Sequence, residues 1–108
     1  MGIVYRDQGN HTIAIGNFKK AIELNPDAAD YYASLGAAYI FQDNNTKALH
    51  MFDKAIELDP DDAITYVLRS ISKKSLGDMN GSLKDTKIAA RLGNKNSQDW
   101  LKENGHDW

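Results

Sequence analysis

FKKAIELNPD at residues 18–27 returns as FDKAIELDPD at residues 52–61, and this match is the centre of a longer one. Residues 9–42 lie over residues 43–76 without a gap, with 13 of 34 positions identical. A chain that repeats itself at this period is an array of one supersecondary unit, so function belongs on surfaces that neighbouring units build together.

The unit is a helical hairpin. Within one copy Ala48, Leu49, Phe52, Ala55 and Ile56 follow the 3.6-residue apolar spacing of an amphipathic helix, with Lys and Glu on the remaining face. Pro26 and Pro60 end such helices, and Asp27 and Asp61 behind them are suited to cap the next. Small residues such as Gly36 and Ala48 let two backbones approach, and Tyr39 and Phe52 fill the space around the contact. Caps and breakers predict helices over 2–8, 11–24, 28–42, 45–58, 62–76, 79–92 and 96–104. Gly9, the pair Asp43-Asn44 and Gly77 mark turns inside hairpins, and Gly93 closes the sixth helix.

The second copy, with Tyr32, Leu35, Gly36, Tyr39, Ala48, Phe52, Ala55 and Pro60, resembles the tetratricopeptide repeat. The first copy matches from Gly2 and Tyr5 through Pro26. The third keeps Tyr66, Gly77 and Ala89 and departs elsewhere: Arg69-Ser70 replaces Leu-Gly, Lys73 Tyr, Ser82 Ala, Thr86 Phe and Asn94 Pro. Trp100 falls one repeat period beyond Tyr66, in the family's aromatic slot. The resemblance implies an all-α fold of helical-hairpin repeats stacked in a right-handed superhelix, an α-solenoid. About three units are expected in a single domain over 1–104, at 1–26, 29–60 and 63–94, with a C-terminal capping helix at 96–104 and a flexible tail at 105–108. The third hairpin, which also carries Gly81 inside a helix, is expected to be the least stable.

A chain of 108 residues buries a core in this fold because neighbouring hairpins share apolar faces. Its formal charge of −2 provides no overall basic field for nucleic acid or an acidic membrane. The absence of cysteine removes thiol catalysis, disulfides and thiolate metal sites, and fits a cytoplasmic protein. No apolar run approaches the roughly 20 residues of a membrane span, and residues 1–8 hold no signal-peptide core.

In the family the first helices of the hairpins line a concave groove that holds a peptide or helix of a partner. Carried over by position, the groove-facing residues are Ile3, Arg6 and Asp7 in the first copy and Asp30, Ala33, Ala37, Ile40 and Phe41 in the second. The third copy supplies Ile64, Val67, Ile71, Lys74 and Ser75. Phe41, Ile40, Ile71 and Val67 would form an apolar strip with Arg6, Asp30 and Lys74 as its polar margin. An amphipathic helix or extended apolar segment suits it, unless these residues simply pack between hairpins. The family's carboxylate clamp for chaperone tails is not written here, because its slots carry Ile3, Ser34, Ile64 and Leu68.

Other readings compete with that groove. Residues 61–92 carry six Lys or Arg (Arg69, Lys73, Lys74, Lys84, Lys87 and Arg91) against four Asp, a local excess that could steer an acidic partner. Interleaved Asp78 and Asp85, without aromatic platforms, make an ordinary solvated face the stronger reading and nucleic acid a poor one. His11, His50 and His106 share no metal-ligand spacing or carboxylate, so neither a metal, a cofactor nor catalysis is expected. A module that stacks identical chains end to end, and a targeting fragment of a larger protein, are the alternatives to an interaction scaffold. The first copy starts inside its first helix, leaving Ile3 and Val4 poorly covered, so self-association through that edge is expected at high concentration. Light scattering at millimolar concentration checks this, and a strict monomer would count against it.

Overall fold

Segments with apolar residues three and four apart, separated by Gly, Pro and Asp punctuation, become helices, and the computed structural model of the chain shows six of them among the described residues. It describes the backbone of residues 2–108 and the side chains of residues 10–108. The helices are α1 (Gly2–Leu24), α2 (Ala29–Phe41), α3 (Asn45–Leu58), α4 (Ala63–Ser75), α5 (Met79–Arg91) and α6 (Lys95–Glu103). Each packs on the next in chain order, most extensively α2 on α3 and α4 on α5. The architecture is therefore an all-α solenoid: two complete hairpins between α1 and α6.

The connections repeat one chemistry. After α2, α4, α5 and α6 a residue with φ between 58° and 100° turns the chain: Asp43, Gly77, Gly93 and Gly105. At each, the next N–H donates back to a carbonyl in the last turn, from Asn44 to Tyr39, Asp78 to Lys73, Asn94 to Ala89 and His106 to Leu101, at 2.8–2.9 Å. This is the Schellman closure, and it satisfies carbonyls that the helix end would leave open. Glycine adopts this conformation without strain at Gly77, whereas Asp43 does so as one of the few side chains that tolerate it. The following helix then starts on a side-chain cap, with Asn44, Asp78 and Asn94 accepting from the N–H of Lys47, Gly81 and Ser97. Between units, the Tyr32 hydroxyl donates to the Pro26 carbonyl at 3.0 Å and that of Tyr66 to the Pro60 carbonyl at 2.9 Å. The repeated tyrosine thus ties each helix start to the turn before it.

The core is centred on α2 and α3. Ile15, Leu35, Ala38, Tyr39, Ala48 and Phe52 are buried together, with Phe18, Ile22, Met51 and Leu68 packed around them. Phe52 is fully enclosed, and a Cβ built on Gly36 would stand 2.5 Å from its ring. Gly36 is therefore a site of close approach in the hairpin, and its missing side chain is filled by the phenyl ring.

Two expectations are corrected. The break at Gly9 is absent, and 2–8 with 11–24 form the single helix α1. One glycine inside a helix costs only about 1 kcal/mol, less than the backbone hydrogen bonds that folding back would interrupt. The helix starts expected at Asp27 and Asp61 fall one residue later: Asp62 caps α4, and Ala28 precedes α2 with no side-chain cap. The tail expected to be flexible at 105–108 makes contacts with α5 and α6 in the structure. His106 stacks on Trp100 at a centroid distance of 6.1 Å, and Arg91 Nε donates to the Trp108 carbonyl.

Gly36→Ala is expected to destabilise the chain by about 1–3 kcal/mol through overpacking, and Phe52→Leu in the same chain should recover part of that loss. Urea unfolding midpoints check both, and an unshifted midpoint for Gly36→Ala would remove the close approach from the account.

Candidate functional site

Ile64, Val67, Ile71 and Lys74 recur at helical spacing and so share one face of α4. Together with Met79 and Leu83 of α5, Trp100 of α6 and His106, they border an open cavity of ≈ 680 Å³. Large apolar side chains face solvent around it, Ile64 at 55 %, Ile71 at 43 %, Met79 at 58 % and Trp100 at 44 % exposure. Ser70 and Thr86 also line it, but their hydroxyls donate to the carbonyls of Val67 and Ser82 on their own helices, at 2.6 and 2.9 Å. The polar atoms of the lining are thus partly occupied, and the cavity is more apolar than its composition implies. A concave apolar surface with a few polar groups is the usual form of a binding site.

The expected strip divides at this point. Its α4 members line the cavity, whereas Asp30, Ala33, Ala37, Ile40 and Phe41 of α2 do not. Ala33 and Ala37 are half-buried, Ile40 packs against the core, and Asp30 and Ser75 are exposed. Phe41 is 69 % exposed and stacks in parallel on His11, ring centroids 4.5 Å apart. His11, expected near a helix start, lies within α1 because that helix is continuous. Ile3, Arg6 and Asp7 lie outside the described side chains. The cavity instead recruits Met79, Leu83, Trp100 and His106, of which only Trp100 carried a positional signal, as the aromatic one repeat period after Tyr66.

The basic run on α4 and α5 is not a uniformly solvated face. Asp85 is 1 % exposed and accepts from Arg69 through both oxygens, at 2.7 and 2.8 Å, and from Lys73 at 3.1 Å. Arg69 also reaches Asp53 of α3 at 3.0 Å. Its hydrogen bonds to Asp85 hold the guanidinium proton more tightly than usual, against the opposing cost of burial. The group stays charged at any working pH. Arg69, Lys73 and Asp85 stand one repeat period after Leu35, Tyr39 and Met51, so a buried ion cluster replaces an apolar cluster between the two helices of the hairpin. The three coordinated changes between copies were the available signal. Lys74 and Lys84 remain exposed.

Among the described residues no group of three or more His, Cys, Asp or Glu could hold a metal ion, and no helix is long and apolar enough to cross a membrane.

The family TPR repeat matches residues 2–43, and the family Tetratricopeptide repeat matches residues 29–62. No curated protein sequence matches the chain. Among solved structures, the first TPR of Spaghetti (RPAP3), bound to the HSP90 peptide SRMEEVD, superimposes over 92% of this chain and 80% of its own, with TM-score 0.82 and 20% identity. MamA does so over 82% of this chain with TM-score 0.75 and 26% identity, and the chain spans 52% of MamA.

Asp85→Ala should destabilise the chain by about 3 kcal/mol, the low end for breaking a buried pair because Arg69 and Lys73 reach solvent. Replacing the cluster by its second-unit counterparts, Arg69→Leu, Lys73→Tyr and Asp85→Met together, should be neutral or stabilising by about 1–4 kcal/mol. Thermal and urea unfolding of both variants measure this, and a harmless Asp85→Ala would show the cluster to be idle.

Proposed function

Because the chain belongs to the tetratricopeptide repeat family, we propose that it is a protein–protein interaction module that receives an apolar segment of a partner in the groove between α4, α5 and α6. The observation that carries this reading is the clustering of half-exposed Ile64, Ile71, Met79 and Trp100 around one cavity of ≈ 680 Å³. Scattered apolar residues at a surface are ordinary, but several that converge on a concavity gain by burial, about 1.5–3 kcal/mol for each large side chain fully covered. The helices that hold them are already formed, so the partner alone bears most of the ordering cost. The groove serves binding without chemistry of its own.

The acidic chaperone tail held by the Spaghetti domain is a poor ligand for this groove. The clamp slots in the described part of the chain carry Ser34, Ile64 and Leu68, none of them cationic. An aliphatic or aromatic anchor fits the lining better than a terminal carboxylate does.

Selection of phage-displayed random dodecapeptides against the chain tests the reading. Enriched peptides should carry clustered apolar residues, and their synthetic forms should bind Ile71→Glu at least about tenfold more weakly, a loss of about 1.4 kcal/mol, with helicity unchanged by circular dichroism. Peptides that bind Ile71→Glu as tightly as the parent would place function elsewhere. Phe41→Glu on the same peptides reports whether the surface extends to α2; on the divided geometry above it should leave affinity unchanged.

A further inference from the structure

The two complete hairpins are built on one pattern, and the second lacks a part that the first contains. In the first, Phe52 and Tyr66 close the junction between α2, α3 and α4, at 0% and 7% exposure. Their counterparts one repeat period later are Thr86 and Trp100. Thr86 ends short of the space a phenyl ring would take, and Trp100 remains 44% exposed instead of closing over it. Ser70 stands where Gly36 admits the Phe52 ring. Ser70, Thr86 and Trp100 all line the open cavity, so the void adjoins the position of the missing ring, part of which the Ser70 side chain takes. Asp85 with Arg69 and Lys73 ties α4 to α5 in its absence.

The charges around the cavity are one-sided. Lys74 and His106 are the titratable residues of its lining, and no carboxylate is among them. Lys74 is exposed and makes no ion pair among the described residues, in contrast to Lys73, whose ammonium is held by Asp85.

We infer that this space is a slot for an aromatic side chain of a partner protein segment, with an acidic residue beside that side chain to meet Lys74. The inference rests on the groove reading given above and adds to it the chemistry of the anchor. The cavity is larger than one ring, and the remainder accommodates the neighbouring residues of the segment against Ile64, Ile71 and Met79. A basic flank would face Lys74 without a counter-charge.

The test uses the peptides selected on the full chain, in synthetic form, with Ser70→Gly/Thr86→Phe, the variant that restores the packing of the first hairpin. Enriched peptides should contain an aromatic residue with Asp or Glu near it. Changing that aromatic residue to Ala should weaken binding at least about tenfold, and the filled variant should weaken the parent peptide by a similar factor while keeping its helicity. Lys74→Glu should weaken the acidic peptides and reverse the salt dependence of their binding, because salt then screens a repulsion in place of an attraction. If Ser70→Gly/Thr86→Phe loses helicity, Thr86→Leu, which fills the same space with a smaller side chain, is read in its place. Peptides that bind the filled variant as tightly as the parent yet fail on Ile71→Glu would overturn the slot and leave the groove standing. Peptides indifferent to both variants, or no enrichment at all, would overturn both.

Discussion

The contact on which the fold depends is that between the Phe52 ring and the absent side chain of Gly36. It fixes the separation of α2 and α3, because any Cβ at Gly36 would stand 2.5 Å from the ring. With that distance set, Leu35, Tyr39 and Ala48 close the remaining space, and Ile15 of α1 joins the same core. The apolar period alone would allow many helix pairs to form. The match of a missing side chain to a ring chooses one, as expected of an interior packed to crystal-like density.

The second hairpin solves the same problem with different forces. Where the first has Leu35, Tyr39 and Met51, the second has Arg69, Lys73 and Asp85, joined at 2.7–3.1 Å. A buried carboxylate that meets two cations is satisfied, but such a cluster is seldom more stabilising than the apolar contact it replaces. Its effect here is one of placement. It holds α4 and α5 together through side chains at one set of helical positions, and leaves the positions of Ser70 and Thr86 free of any duty to fill space. The packing loss and the open groove are two aspects of one set of substitutions.

Most of the fold was legible because a repeat supplies its own control. The second copy carries every packing residue at the family's spacing, and the turns at Asp43, Gly77 and Gly93 follow from backbone conformations that few residues tolerate. Continuity through Gly9 was not legible. Gly9 reads as a turn, and only the balance between helix hydrogen bonds and the packing of a short segment decides against it. Of the residues expected in the groove, Ile64, Val67, Ile71 and Lys74 border the open cavity, whereas Phe41, Ile40, Ala37, Ala33 and Asp30 do not, because its lining comes from α4, α5 and α6. Asp85 reads in sequence as part of an interleaved solvated face, and the structure buries it. A lone Asp among lysines gives no sign of burial until it is set beside Met51.

The departures of the third copy are what distinguish this chain from a uniform array. In a uniform stack each unit would bury the aromatic of the next, as the first hairpin buries Tyr66. Here Trp100 occupies the same slot, is the larger residue, and is nevertheless left 44% exposed because Thr86 presents no ring for it to close on. A large aromatic left half in water beside an apolar cavity is a local cost to the isolated chain. On the proposed reading that cost is removed when a partner side chain fills the cavity, so free energy withheld from folding at this junction would become available to binding.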